Sequence, residues 1–206
     1  PEYTVVGVGR EDGKTAGEYA PIFFKQAKYT LLDQNTFWLC EKPDSVGMVG
    51  WDAALTRIAT WVKLQDKKTG QILMVVNTHF DHIGTEARRN SALLIIEKIK
   101  EIVGTSPAIL TGDFNVSEDW DAYKTITNNE FILKDAHKVA GKRTGVDFTY
   151  HNFGKIPAEK CEKIDFIFVT PQIRVISSYI PFSQLNDTLF LSDHNPEIVE
   201  LEIEKS

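Results

Sequence analysis

The sequence predicts an α/β protein of packed sheets (α+β by another convention), and three observations carry that expectation. Strand-like runs rich in Val, Ile, Thr and aromatic residues recur from Tyr3 to Ile203. One long and one short helical period fall between them. No repeat, low-complexity tract or shift of composition divides the 206 residues, so one domain over residues 1–206 is expected. Apolar and charged fractions of 42% and 25% are those of a chain that folds around a core.

Tyr3 to Gly9 reads as a first strand, followed by a charged, Gly-containing loop over residues 10–17 and an apolar run from Glu18 to Phe24. Tyr29 to Leu39 is β-like, with a turn expected at Asp33-Gln34-Asn35. Residues 41–54 lack periodicity and read as a loop, one that could lie over a site. Leu55–Leu64 and Gln71–Phe80 are joined by Asp66-Lys67-Lys68-Thr69-Gly70, a hairpin signature, and the second run is apolar enough for burial on both faces. Thr85 to Val103 is the long helix: Ala92, Ile95, Ile96 and Ile99 recur at helical spacing, Thr85 is the candidate cap, and Gly104 ends it. A strand over Pro107–Asn115, a short helix over Glu118–Ile126, a polar loop over Asp135–Thr149 and strands at Ile164–Val169, Val175–Ile180 and Ile198–Ile203 complete the series.

Four strand ends carry His, Asp and Asn. Asn77-Thr78-His79-Phe80-Asp81-His82 follows an apolar run, and the two-residue period puts His79 and Asp81 on one face. Pro107 to Leu110 leads into Thr111-Gly112-Asp113-Phe114-Asn115, where the same period places Asp113 beside Asn115; a simple turn is the alternative, since Gly, Asp and Asn are turn residues. Asp165 stands alone in an apolar strand and needs a cationic or donor partner. Ser192-Asp193-His194 precedes Pro196. A lone His or Asp at a strand end is often a cap, but four such clusters form the set that phosphoester hydrolysis uses: carboxylates for a divalent cation, and a His oriented by an Asp for proton transfer. Asp165 suits the orienting part. No His-Glu-x-x-His or Cys-x-x-Cys spacing occurs, so oxygen donors point to Mg²⁺ or a similar hard ion. Cys40 and Cys161 form no framework, and Cys40 reads as a buried free thiol. The net charge of −6 argues against binding nucleic acid by charge alone.

Asn77-Thr78-His79, Gly112-Asp113-Phe114-Asn115, Ile164-Asp165-Phe166-Ile167 and Ser192-Asp193-His194-Asn195-Pro196 resemble, in order and spacing, four motifs of the endonuclease/exonuclease/phosphatase superfamily, the group of deoxyribonuclease I, neutral sphingomyelinases and deadenylases. The resemblance spans residues 18 to 203. It implies a four-layer sandwich of two packed sheets flanked by helices and a phosphoester hydrolase, a phosphodiesterase, nuclease or phosphatase, using Mg²⁺ or Mn²⁺. Carried over by position, His194 is the base oriented by Asp165. Asp113 polarises the nucleophile and Asn115 donates to a phosphate oxygen. Asp193 and Asp113 are metal ligands, and His79 binds phosphate or protonates the leaving oxygen. Glu18 resembles the carboxylate supporting that histidine, and Arg57 resembles a phosphate-contacting arginine. Arg10, Lys14, Trp51, Asp81 and His82 are rim candidates.

The resemblance departs at one place. Members begin with an Asn-bearing strand and a Gln-Glu metal motif, and neither stands ahead of Tyr3. The chain thus resembles the larger C-terminal part of such a domain, with an exposed sheet edge and an impaired site expected. The rival expectation is a fold relative that binds a ligand or partner without hydrolysis. The substrate expected is a small phosphoester, a sugar or lipid phosphate, or a short nucleic acid, with no membrane span and no obligate protein partner. The compartment stays open: secreted or periplasmic if a leader has been removed, cytoplasmic otherwise.

Overall fold

The computed structural model describes residues 2–104, 106–129, 131, 133–186 and 189–203. In chain order the elements are β1 (Tyr3–Val6), β2 (Ile22–Lys25), β3 (Tyr29–Trp38), β4 (Ile58–Asp66), β5 (Ile72–His79), α1 (Thr85–Val103), β6 (Ala108–Asp113), α2 (Asp121–Thr127), β7 (Lys134–Asp135), α3 (Ala136–Val139), β8 (Lys142–Gly145), β9 (Asp165–Val169), β10 (Ile173–Ile180), β11 (Gln184–Asn186), β12 (Leu189–Phe190) and β13 (Ile198–Ile203). The main sheet has the order β3-β4-β5-β6-β9-β7. Its neighbours are antiparallel except β5 and β6, which run parallel because α1 carries the chain back between them.

Strand periodicity sorts this sheet into two faces. Ala59, Trp61, Met74, Val76, Leu110, Phe166 and Phe168 pack against Ala92, Ile95, Ile96 and Ile99 of α1 and Ala122, Tyr123 and Ile126 of α2. The residues between them point the other way. Leu73, Ile109 and Val169 meet Ile173 and Val175 of β10 and Leu201 of β13, while Val62 and Leu64 meet Val6, Ile22 and Phe24 of the β1–β2 hairpin. Helices therefore cover one face and a second sheet layer covers the other, the packed-sheet α/β architecture of deoxyribonuclease I-like proteins. That second layer is in two pieces among the described residues, β13-β10-β8 and β1-β2, with Val75 packed against both apolar clusters.

Four local expectations are corrected. Asp33-Gln34-Asn35 makes no turn: β3 runs through it, a bulge between Leu31 and Asp33 absorbs the irregularity, and the Asp33 and Asn35 side chains each accept the next residue's N–H. Thr85 does not cap α1. Asp52 does, its carboxylate accepting from the N–H groups of Glu86 and Ala87 at 3.2 and 2.6 Å, so the 41–54 loop serves the helix. Residues 135–149 are not all loop. Asp135 accepts from His137 N–H to start α3, and β8, exposed along its length, pairs parallel with β10. Finally, Asp81 does not share the face of His79. β5 ends at His79, and Asp81 turns inward to accept from the N–H groups of Ile83 and Gly84.

Candidate active site

Three neighbouring strands end in one row. His79 on β5 is the register partner of Asp113 on β6, and Asp113 is the partner of Asp165 on β9. All three side chains lie on the face opposite α1, because Phe80, Phe114 and Phe166, one residue on, are buried in the helix-side core. Phe114 packs edge-on to Phe80 and Phe168 at centroid separations of 4.9 and 5.2 Å, which anchors the strand end behind Asp113. Gly112 permits the row. A Cβ there would stand 2.2 Å from the Thr78 carbonyl oxygen, so only glycine lets β5 and β6 close up beside His79 and Asp113.

His194 arrives from the opposite end of the chain. Its Nδ1 lies 2.7 Å from Asp165 Oδ2. A carboxylate only accepts, so Nδ1 carries the proton and Nε2 presents its lone pair, 4.0 Å from Asp113 Oδ2. The segment holding His194 is braced by residues 149–152. Tyr150 bridges to His194 and sets its ring 4.9 Å from the imidazole, the N–H of His151 donates to the Asp193 carbonyl, and Thr149 Oγ1 accepts from the N–H groups of Ile164 and Asp165. Thr149 and Tyr150 were hidden within and beside an unpatterned polar stretch, and nothing in their spacing marks them.

His79 Nε2 is 3.4 Å from Asp113 Oδ2. Asn115 does not stand beside Asp113 on an extended strand. Its φ of 49° turns the chain, its N–H donates to Asp113 Oδ1 at 2.9 Å, and its Nδ2 donates to the Phe80 carbonyl. Arg57 is buried; its Nη2 lies 3.2 Å from His82 Nδ1 and its Nε 3.5 Å from Asp81 Oδ2, while Nε and Nη1 make no hydrogen bond. Glu18 pairs with Arg10 at the surface, not with His79. Asp193 Oδ1 accepts from Ser192 Oγ at 3.3 Å. Two rim candidates lie elsewhere: Trp51 lines a hollow against α1 with Cys40, Asn90 and Leu93, and Lys14 lines one beside Val5 and Trp38.

The charges of the cluster are tuned by this packing. Burial, then Asp165, pushes the Asp113 carboxyl up to about 6. Burial, then the Arg57 guanidinium, lowers His79 to about 4, so that it is neutral at ordinary pH. Burial would also lower His194, but the hydrogen bond and charge of Asp165, with Asp113 and Asp193, outweigh it and raise the imidazole. Asp113, Asp165 and His194 offer ligand atoms within 4.8 Å of one another, a group that could hold a divalent metal ion. Two carboxylates that crowd one another on adjacent strands fit such an ion, since a cation relieves the repulsion that raises Asp113. Asp193 is not in that group. The row opens into a cleft of about 410 Å³ lined by Tyr19, Ala20, His79, Asp113, Asp165 and Glu197. A hollow of about 530 Å³ beside β1 and β3 is larger but carries no His–carboxylate cluster.

The scaffold is thus a two-sheet α/β fold that brings His, Asp and Asn together at its strand ends. The sequence model of the endonuclease/exonuclease/phosphatase family matches residues 12–194, and the chain belongs to that family. An endonuclease/exonuclease/phosphatase from Bacteroides vulgatus is 65% identical in sequence, with a TM-score of 0.96 over 99% of this chain and 77% of that one. A mannosyl-6-phosphatase of Bacteroides thetaiotaomicron is 37% identical, with a TM-score of 0.91 over 98% of this chain and 78% of that one. An uncharacterized protein of Acanthamoeba polyphaga mimivirus is 30% identical over 175 residues, 80% of this chain; the alignment spans 63% of that curated relative. No helix among the described residues is long and apolar enough to cross a membrane.

Proposed function

We propose that the protein is a divalent-metal-dependent phosphoester hydrolase acting on a small phosphoester, with a sugar phosphate the first candidate. The Asp165–His194–Asp113 arrangement carries the proposal: an oriented imidazole with a free Nε2 faces a carboxylate at the head of an open cleft. His194 accepts the proton of the attacking water at Nε2, and Asp165 holds the ring and the tautomer that make this possible. Asp113 orients the water. Asn115 keeps one amide hydrogen on the Phe80 carbonyl and has a second to give a phosphate oxygen. His79, held neutral, suits hydrogen donation to phosphate better than proton transfer to the leaving group. Arg57, with two unsatisfied groups, adds positive charge behind it, and Arg10, paired with Glu18, adds more. Asp193 acts through its charge on His194. The Asp113 and Asp165 carboxylates would hold Mg²⁺ or Mn²⁺, which would supply positive charge against the phosphate oxygens, and His194 Nε2 stays free for the proton. The cleft volume suits a small ligand, and the 37% identical relative named as a mannosyl-6-phosphatase supports a sugar phosphate.

The test assays the protein on chromogenic phosphate mono- and diesters and on hexose 6-phosphates, with Mg²⁺ or Mn²⁺. Activity lost in His194→Ala and reduced roughly 10²–10⁴-fold in Asp165→Asn is the expected result. No hydrolysis with either metal would favour the ligand-binding alternative.

A further inference from the structure

We infer that the buried Lys163–Glu197 ion pair is a positioning device for the Asp165–His194 dyad, an inference that rests on the hydrolytic reading above. Lys163 Nζ lies 2.9 Å from Glu197 Oε2, and the two side chains are only 7% and 2% exposed. The same ammonium donates to the Asp165 carbonyl at 2.8 Å and sits over the Phe166 ring, 3.9 Å from its centroid. Glu197 is held in turn: Ser178 Oγ donates to Oε1 at 3.1 Å, and His137 Nδ1 lies 4.0 Å from that oxygen.

The placement along the chain gives the pair its meaning. Lys163 stands two residues before Asp165, and Glu197 three residues after His194. The dyad joins two segments that are remote in sequence, and the ion pair joins the same two segments a few residues away. On the other side, the N–H of Asn195 donates to the Thr149 carbonyl, whose own Oγ1 accepts from Asp165 N–H. The 2.7 Å contact between Asp165 and His194 is thereby bracketed on both sides. Stability alone does not account for two charges buried there. Desolvation cancels most of the attraction, and apolar replacement of such pairs is often neutral or stabilising. Fixing one geometry is what a buried pair offers that an apolar pair does not, and catalysis is sensitive to shifts of about 1 Å at the reacting groups.

The experiment uses the double variant Lys163→Met/Glu197→Gln, which removes both charges and leaves neither stranded. Lys163→Arg is the conservative control. Thermal unfolding, kcat and KM on a chromogenic phosphoester, and the downfield proton resonance of the hydrogen-bonded His194 imidazole are measured in the wild type and in each variant. The double variant is expected to melt near the wild type, lose kcat about 10- to 100-fold with little change in KM, and lose or broaden the resonance; Lys163→Arg recovers most of both. Should the double variant not fold, Glu197→Asp keeps both charges but withdraws the carboxylate by one methylene, and is expected to lower kcat at unchanged melting temperature. Wild-type kcat and an intact resonance in the folded variant overturn the inference. If the wild type shows no hydrolysis that depends on His194, the hydrolytic reading fails instead. The resonance then decides the positioning role by itself, and its persistence in the double variant overturns it.

Discussion

Asp81 shows what a single side chain does for the ground on which the site stands. Its carboxylate is buried, accepts from the N–H groups of Leu55, Ile83 and Gly84, and faces the guanidinium of Arg57. Burial opposes its charge, but the backbone donors win and hold the carboxyl down to about 2. A carboxyl depressed in the folded state contributes stability above its unfolded value, near 3.8, and loses it as pH falls through the folded value. Denaturant unfolding should therefore show Asp81→Asn to be less stable than wild type by about 2 kcal/mol at pH 7. The gap should narrow between about pH 4 and 2; a gap independent of pH would contradict the assignment. The sequence placed Asp81 beside His79 by strand alternation. It did not show that β5 stops at His79, where Asp81 is held by the local N–H groups of Ile83 and Gly84 together with the remote Leu55 N–H and Arg57.

At the scale of elements, the pairing of β5 with β6 sets the site, and Gly112 is its weak point. The register partners Thr78 and Gly112 come so close that an added methyl would meet the Thr78 carbonyl oxygen at 2.2 Å. Gly112→Ala should cost about 1–3 kcal/mol, as overpacking does, and should separate His79 from Asp113, lowering kcat further than a remote control such as Gly70→Ala does. Equal losses of activity in both would refute it. Such strand ends were legible because their signals are local: an apolar run, a glycine, then His, Asp or Asn at fixed spacing. The same holds for α1, whose Ile95, Ile96 and Ile99 face the sheet as their period requires. Elements without a local signal were missed. β8 exposes every side chain and exists through its pairing with β10. The β11–β12 hairpin is three residues paired with two. Asp52 caps α1 from 34 residues away, while Thr85, in the expected place, does not. Lys163 and Glu197 carry no motif, since their meaning lies in a contact that only the fold creates.

Across the whole molecule, a rigid frame is used to hold like charges together. Asp113 and Asp165 are register partners on adjacent strands, locked from behind by Phe114 and Phe166, so neither can swing away from the other. Without a cation the arrangement opposes folding: burial and the neighbouring carboxylate raise Asp113 to about 6. With one it favours folding, because an ion that binds only the folded state stabilises by mass action, about 2.7 kcal/mol at 100 times its Kd. For a chain of this length that corresponds to a rise of roughly 5–10 °C in Tm. Two opposite responses follow from removing one charge. Asp113→Asn should melt higher than wild type when metal is chelated, because the repulsion is gone. It should gain little from Mn²⁺ or Mg²⁺, because a ligand is gone, whereas wild type should climb with concentration of either ion and return when chelator is added. Substitution of a carboxylate far from the row, such as Asp66→Asn, should leave the metal response intact. A wild-type Tm indifferent to both ions, or an Asp113→Asn variant that responds as strongly as wild type, would remove the metal from the site and with it the reason for holding two carboxylates in one row.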